Sequence, residues 1–474
     1  MAGTADGRGT AAPARGGRSG GAGKPGRSGA RGPRDGRGPA ARPRATSVAV
    51  FRSHSRFTGP DSAWGRFQRG LDRPLTPYYL ILGSAALILV LGLVMVFSAS
   101  QIEARTLGLP FAYFFEKQLT AVAIGSVLMY VAARLPVKLH RAFAYPLLLG
   151  VIALLLLVSV VGKSVNGNQN WISLGGSFQI QPSEFAKLAL VLWGADLLAR
   201  KQQMRMLDQW KHLLVPLVPV AVLLLTLVLA GGDMGTAMII CALLFGLLWY
   251  SGAPMRLFGG AAAIALGLSA MLIALVPHRA GRLQCIGATH IPADGSCWQA
   301  VHGVYALASG GIFGSGLGAS IEKWGQLPEP HTDFIFAVTG EELGLAGTLS
   351  VLGLFAALGY AGIRVAGRTR DPFIRYAAGG ATTWIMAQAM INIGAVLGLL
   401  PIAGVPLPMF SYGGSALLPT MFAVGMLLCF ARSEPAAKAA LAARSRTKKN
   451  RGGVLGLPQR TIARLGKARQ RRER

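Results

Sequence analysis

Four stretches of the chain gather the residue types that can move protons, hold sugars or meet phosphates. The richest runs from Ser309 to Phe334 and contains Gly310, Gly311, Gly314, Gly316 and Gly318, then Glu322, Lys323, Pro328, Glu329, Pro330, His331, Thr332 and Asp333. Asp333 stands where this loop meets an apolar stretch, beside His331. Low-dielectric surroundings and the adjacent His331 could tune its carboxyl pKa for general-base work. Glu341 and Glu342 lie roughly 12 to 14 Å deeper at helical rise, too far to share that task and suited to tying helices together. Glycines at this density let backbone approach another chain or a ligand, and a flexible loop would also contain them.

A second stretch holds Asn166, Gly167, Asn168, Gln169, Asn170 and Trp171, followed by Gln181, Pro182, Ser183, Glu184 and Lys187. Pro182 suits the first turn of a helix, which puts Glu184 and Lys187 on one face, close enough to pair. The pair is either a buried ion pair that orients a helix or a contact for substrate. A third stretch, Gly232, Asp233, Met234, Gly235 and Thr236, reads as a helix start capped by Asp233. The fourth, from Pro401 to Ser415, includes Pro406, Pro408, Ser411, Tyr412, Gly413 and Gly414. Its prolines and glycines imply irregular backbone, which lipid forbids unless it lines a cavity or packs within protein.

The elements that must position these residues are hydrophobic helices. The chain has 474 residues, of which 52% are hydrophobic and 14% charged, whereas soluble domains carry about a quarter charged residues. Apolar stretches of membrane-spanning length fall at 78–98, 118–135, 143–162, 182–199, 212–230, 234–251, 257–277, 334–364, 374–400 and 407–431. The expected fold is therefore an all-α polytopic membrane protein of about ten transmembrane helices, with a long outer loop at 278–333 between the seventh and eighth. The eighth and ninth spans exceed the length of a perpendicular helix, so tilt or extension is expected. Arg134, Lys138, Arg141, Arg200, Lys201, Arg205, Lys211, Arg256, Arg364, Arg368, Arg370 and Arg375 all fall in alternate loops. By the positive-inside rule both termini are cytoplasmic.

The formal net charge of +29 sits mostly in the tails: residues 1–77 hold 15 Lys/Arg against 4 acids, and residues 432–474 hold 14 against 2. With no base-reading motif beside them, these runs read as flexible cytoplasmic tails facing anionic lipid, and nucleic acid is excluded as a partner. Residues 1–45, rich in Gly, Ala, Arg and Pro, are expected to be disordered, and the first span to act as its own insertion signal. Cys241 and Cys429 fall inside spans, as buried thiols do. Cys285 and Cys297 share the outer loop in an oxidising compartment and are either bridged or two free thiols; a bridge would contribute about 3 kcal/mol.

In their order these motifs resemble the SEDS family of division and elongation proteins, across residues 78–431. The resemblance rests on Asn166-Gly167 with Trp171-Ile172, Gln181-Pro182-Ser183-Glu184 with Lys187, and Asp233-Met234-Gly235-Thr236. It extends to Pro328-Glu329 with His331 through Ala337, Gly340-Glu341-Glu342-Leu343-Gly344, and the run Pro406 to Ser415. The Gly340-Glu341-Glu342 form and the basic tails are closer to the division branch than to the elongation branch. Asn170, where many relatives have Arg, Gly231-Gly232 before the Asp233 motif, and Pro330 depart from the pattern. The resemblance implies a peptidoglycan glycosyltransferase that polymerises lipid II at the septum of a bacterial plasma membrane, and a class B penicillin-binding protein as transpeptidase partner alongside other division proteins.

Its catalytic acid falls on Asp333, which would take the proton from the acceptor hydroxyl. Arg279, Arg282, Lys323 and Lys187 are candidates to offset charge on the pyrophosphate leaving group, as is a divalent cation, Mg or Mn, with no other cofactor evident and no metal ligands assigned. Trp171, Glu184, His331, Ser411, Gly413 and Gly414 are the further substrate-binding candidates. Two rival readings share the architecture. A lipid II flippase would also need intramembrane charge, although no repeat of broken helices is evident. A non-catalytic division scaffold would act through its tails.

Overall fold

The computed structural model describes residues 70–452 except 166–167, 174–178, 208, 261–284, 289–290 and 292–296. Most of the expected seventh span, together with Arg279, Arg282, the disordered-tail reading of residues 1–45 and the last part of the C-terminal tail, lies outside the described residues. Helices α1 (Thr76–Thr106), α2 (Tyr113–Arg134), α3 (Val137–Ala142) and α4 (Ala144–Val161) precede a small sheet. After it come α5 (Pro182–Gln203), α6 (Trp210–Leu214), α7 (Leu217–Ala230), α8 (Met234–Tyr250) and α9 (Trp298–Ser309). The chain continues with α10 (Ile335–Arg368), α11 (Pro372–Val396), α12 (Gly414–Ser433) and α13 (Pro435–Gly452).

Among the described residues six helices are long and apolar enough to cross a membrane: α1, α2, α4, Lys211–Ala230, α10 and α12. The molecule is thus an integral membrane protein. α5 carries Glu184, Lys187, Asp196, Arg200 and Lys201, yet almost every residue of it from Pro182 to Ala199 is buried. Its charges are met inside the protein: Asp196 lies at 0% exposure, paired with Arg141 and, at 2.8 Å, with Arg200. α11 is buried along most of its length as well. These two helices, with the apolar α12, form the interior, and the other apolar helices surround them.

Three features depart from the sequence reading. Strands β1 (Lys163–Val165), β2 (Asn168–Ser173) and β3 (Gln179–Ile180) form an antiparallel sheet in order β1-β2-β3, with Val165 opposite Asn168 and Ile172 opposite Ile180. The Asn166-Gly167 pair is the strongest short hairpin signal in a sequence, and the expected all-α fold passed over it. The start of the basic C-terminal tail is helical as α13, because Pro435-Ala436-Ala437-Lys438-Ala439-Ala440-Leu441 combines strong helix formers behind a proline at the first turn.

The third departure is in α10, which is two helical segments joined at Gly344 (φ 67°, ψ −164°). A broken helix leaves backbone groups unpaired where no water can reach them. The glycine loop supplies the partners. Ser315 N and Gly316 N donate to Glu341 O (2.9 Å) and Glu342 O (3.0 Å), while Leu345 N and Ala346 N donate to Gly311 O (2.9 Å) and Ile312 O (3.1 Å). A Cβ on Gly314 (φ 81°) would lie 2.1 Å from Glu342 O, so only glycine permits this crossing.

Side chains secure the same joint. Glu341 accepts from Ser320 Oγ (2.5 Å) and Ile321 N (2.7 Å). Glu342 accepts from Lys323 Nζ (2.7 Å) and from Ser98 Oγ of α1 (2.7 Å). The expectation that these two glutamates tie elements together is met, and each does so against a different neighbour. Further out, Cys285 and Cys297 are joined as a disulfide.

Candidate active site

Asp333 sits in a short turn, residues 331–334, immediately ahead of α10. Its backbone is held from α11, where Asn392 Nδ2 donates to Asp333 O at 2.7 Å. Its carboxylate accepts no hydrogen bond among the described residues and lines a small cavity with Phe334, Asn392, Ile402, Gly404 and Val405. Burial, then the nearby charge of Glu329, then that of Asp233, push its pKa up to about 7. A largely desolvated carboxyl that accepts no hydrogen bond among the described residues and faces other carboxylates holds a proton weakly enough to lose it and strongly enough to take one near neutral pH.

The neighbours are fixed by bonds of their own. Asp233 caps α8 through Thr236 N (2.9 Å), as its position predicts, and its other oxygen accepts from Gln181 Nε2 (2.8 Å) and Ser183 Oγ (2.9 Å). Gln181 N in turn donates to Ser415 Oγ at 2.8 Å, so the starts of α5, α8 and α12 meet at one corner. Glu329 is held in the left-handed region (φ 52°) and accepts from Thr332 Oγ1 at 2.9 Å.

His331 is buried in an aromatic cluster, its ring centroid 4.9 Å from Phe114 and 5.3 Å from Tyr412. Its backbone oxygen accepts from Tyr412 N at 3.0 Å, which brings the 411–414 segment against the Asp333 turn. Nδ1 of His331 has no partner among the described residues. Desolvation lowers the pKa of the ring and Glu329 opposes this more weakly, so it is neutral at physiological pH. Ser411 Oγ accepts from Leu407 N (2.8 Å), and Gln118 of α2 binds Ser411 O (3.1 Å) and Gly413 N (3.2 Å). Gly414 begins α12 against Ala121 of α2.

Glu184 and Lys187 do pair, at 2.8 Å, and Lys187 is wholly buried. Its ammonium also reaches Gln388 Oε1 (3.0 Å), which accepts from Trp384 Nε1 (2.9 Å), and Gln388 Nε2 donates to Pro406 O (2.9 Å). The pair therefore connects through α11 to the irregular segment beside Asp333. Trp171 lies on β2 opposite Lys163. Lys323, a candidate for pyrophosphate contact, is buried and engaged with Glu342 and Ser98 at the α10 break. Sequence reasoning passed over Asn392, Gln388, Gln118 and Phe114. The first two could have been found as polar side chains one turn apart within an otherwise apolar span.

No three His, Cys, Asp or Glu side chains converge to hold a metal ion among the described residues. Both oxygens of Asp233, the nearest capped acid, are engaged.

Residues 78–435 match the FtsW/RodA/SpoVE family of cell cycle proteins. The chain belongs to this family. It is 40% identical over 413 residues to a probable peptidoglycan glycosyltransferase FtsW of Mycobacterium tuberculosis, covering 85% of this chain and 78% of that protein. It is 35% identical to the stage V sporulation protein E of Bacillus subtilis, covering 75% of this chain and 97% of that one.

Among solved structures, a chain from a peptidoglycan synthase complex that coordinates polymerisation and crosslinking superposes with a TM-score of 0.63 at 27% identity, covering 75% of this chain and 97% of that chain. The rod shape determining protein RodA of Thermus thermophilus does so with a TM-score of 0.55 at 28% identity, with coverage of 75% and 97%. These family members share the membrane domain that carries all four polar stretches; the basic N-terminal tail lies outside the family match.

Proposed function

We propose that this family member is a peptidoglycan glycosyltransferase that polymerises lipid II at the division septum, with Asp333 as general base. The observation that carries the assignment is the Asp333 carboxylate: partnerless among the described residues, raised toward neutrality, and set at a cavity between α10, α11 and the 402–405 segment. The acceptor sugar hydroxyl oxygen attacks the anomeric carbon of the lipid-linked donor. The new C–O bond forms as the bond to pyrophosphate breaks, the electron pair leaves with the lipid pyrophosphate, and the hydroxyl proton passes to Asp333.

Neutral His331 with its unpartnered nitrogen, Ser411, Gly413 and Gly414 supply polar contacts on one side of that carboxylate. Trp171 and the Glu184–Lys187 pair are further proposed substrate contacts, and Arg279 and Arg282 are the cations assigned to the pyrophosphate. Any Mg or Mn arrives with the pyrophosphate as part of the substrate. The membrane domain comprises ten spans with both termini cytoplasmic and the 278–333 loop outside, as the basic loops require. Lipid II is the substrate, and a class B penicillin-binding protein is the partner that crosslinks the product. This last assignment is supported by the likeness to a chain of a synthase complex.

Polymerisation of purified lipid II, with the transpeptidase present in detergent, tests the assignment. Wild type should make glycan chains and Asp333→Asn, near-isosteric and unable to accept the proton, should lose activity by a factor of about 100 or more. Full activity in Asp333→Asn would remove Asp333 from the chemistry. An intact complex without polymerase activity would move the flippase and scaffold readings ahead.

A further inference from the structure

Asn392 is 3% exposed, on the face of α11 that meets the Asp333 turn. Its amide nitrogen donates twice, to Asp333 O at 2.7 Å and to Val405 O at 2.8 Å. Two carbonyls facing one amide fix its orientation, because a flipped amide would set oxygen against oxygen. The same orientation leaves Asn392 Oδ1 buried with no partner among the described residues. A buried acceptor without a donor detracts from stability, so stability alone does not account for an asparagine here.

One turn earlier on α11, Gln388 Nε2 donates to Pro406 O at 2.9 Å. The two amides thus hold consecutive carbonyls, 405 and 406, against the same helix. Asn392 differs in reaching the Asp333 turn as well. The 402–405 segment lies beside the carboxylate itself: a methyl group on Gly404 would stand 3.7 Å from Asp333 Oδ2. Any slip of that segment relative to the turn would change what the carboxylate faces.

We propose that Asn392 is a positioning residue that sets Asp333 against the 402–405 segment by binding the backbone of both. The proposal rests on the reading of Asp333 as general base. Asn392 acts through Asp333 and touches no substrate. Releasing the turn lets the carboxylate move away from Glu329 and Asp233 and lets water reach it. The defect therefore falls on turnover and on proton affinity more than on substrate binding.

The test compares wild type, Asn392→Ala, Asn392→Leu and Asp333→Asn as full-length proteins with the partner transpeptidase, using lipid II as substrate. Asn392→Leu keeps the branched shape and heavy-atom count of the side chain and removes the orphan acceptor, so it carries the test where Asn392→Ala does not fold. The expected result is a fall in kcat of about tenfold to a hundredfold, as a displacement of the order of 1 Å produces, with KM within about twofold. The acidic limb of the pH–rate profile should move down by about one pH unit as the carboxyl becomes better solvated. Wild-type kcat in a folded Asn392 variant would overturn the proposal. So would lost activity with an unmoved acidic limb, and so would failure of both variants to fold, since each makes the residue purely structural or remote. If Asp333→Asn is inactive while the Asn392 variants match wild type, only the positioning role fails. If Asp333→Asn is fully active, the general-base reading fails first.

Discussion

At the scale of single residues, the protonation of Asp333 has two measurable consequences. With its pKa pushed up to about 7 by burial, Glu329 and Asp233, the base form grows in as pH rises through that value. The kcat/KM of polymerisation should therefore climb along an acidic limb centred near pH 7, as initial rates on lipid II across the range from about pH 5.5 to 9 would show. The same shift sets a stability dependence. A carboxyl whose folded pKa exceeds its unfolded one stabilises the fold fully below the unfolded value and loses that contribution as pH rises through the folded value. Asp333→Asn, which never ionises, should thus gain in Tm over wild type, by a margin that widens between pH 5 and pH 8.

The place of Asp333 was legible in the sequence because a carboxylate at the edge of an apolar stretch is conspicuous, and the structure sets it at a small cavity. Asn392 and Gln388 obey the same rule within 374–400, but their partners are carbonyls of irregular backbone, which no side-chain pattern announces. Lys323 illustrates the converse. Its charge invited a phosphate, while Glu342 and the distant Ser98 that engage it are brought near only by the folded chain.

At the scale of elements, α10 starts directly after Asp333 and is broken at Gly344 against the glycine loop. The sequence gives a long apolar stretch at 334–364 and the expectation of a tilted helix, because hydrophobic periodicity reports an outward face and not a change of axis. Gly344 marks the break, yet Gly340, Gly347 and Gly353 look the same in sequence. The partner loop identifies it, through bonds from Gly311 and Ile312 to Leu345 and Ala346. Gly314→Val would drive a side chain into Glu342 O from a left-handed backbone. It should destabilise by more than about 4 kcal/mol, in the range reserved for strain combined with overpacking, read as a large fall in Tm or loss of folded protein in detergent. The small sheet was missed for a different reason. Short strands ahead of a helix contribute little hydrophobic periodicity, and only the Asn-Gly turn signal speaks for them.

At the scale of the whole molecule, the alternation of basic loops argues for the proposed orientation while hydropathy argues for the spans, and the two are independent. Of the expected spans, six are long, apolar helices among the described residues. α5 and α11 are the exception in kind: buried on nearly all sides, they can carry Glu184, Lys187, Gln388 and Asn392 because protein, not lipid, surrounds them. The topology predicts that alkaline phosphatase fused after Gly318 is active and after Ala443 inactive, with a cytoplasm-dependent reporter showing the reverse. Activity at both sites would break the ten-span plan.

The paired glutamates at the α10 break bear on how the protein is made. Glu341 and Glu342 would stand in lipid as bare charges if α10 entered the bilayer alone, at a penalty of several kcal/mol. Their partners all precede them in the chain: Ser98 from α1, and Ser320, Ile321 and Lys323 from the loop that emerges just before α10 itself. The first segment of α10 therefore has its charges met only once that loop has packed against α1. Stable placement of this helix is thus coupled to the packing of chain made before it.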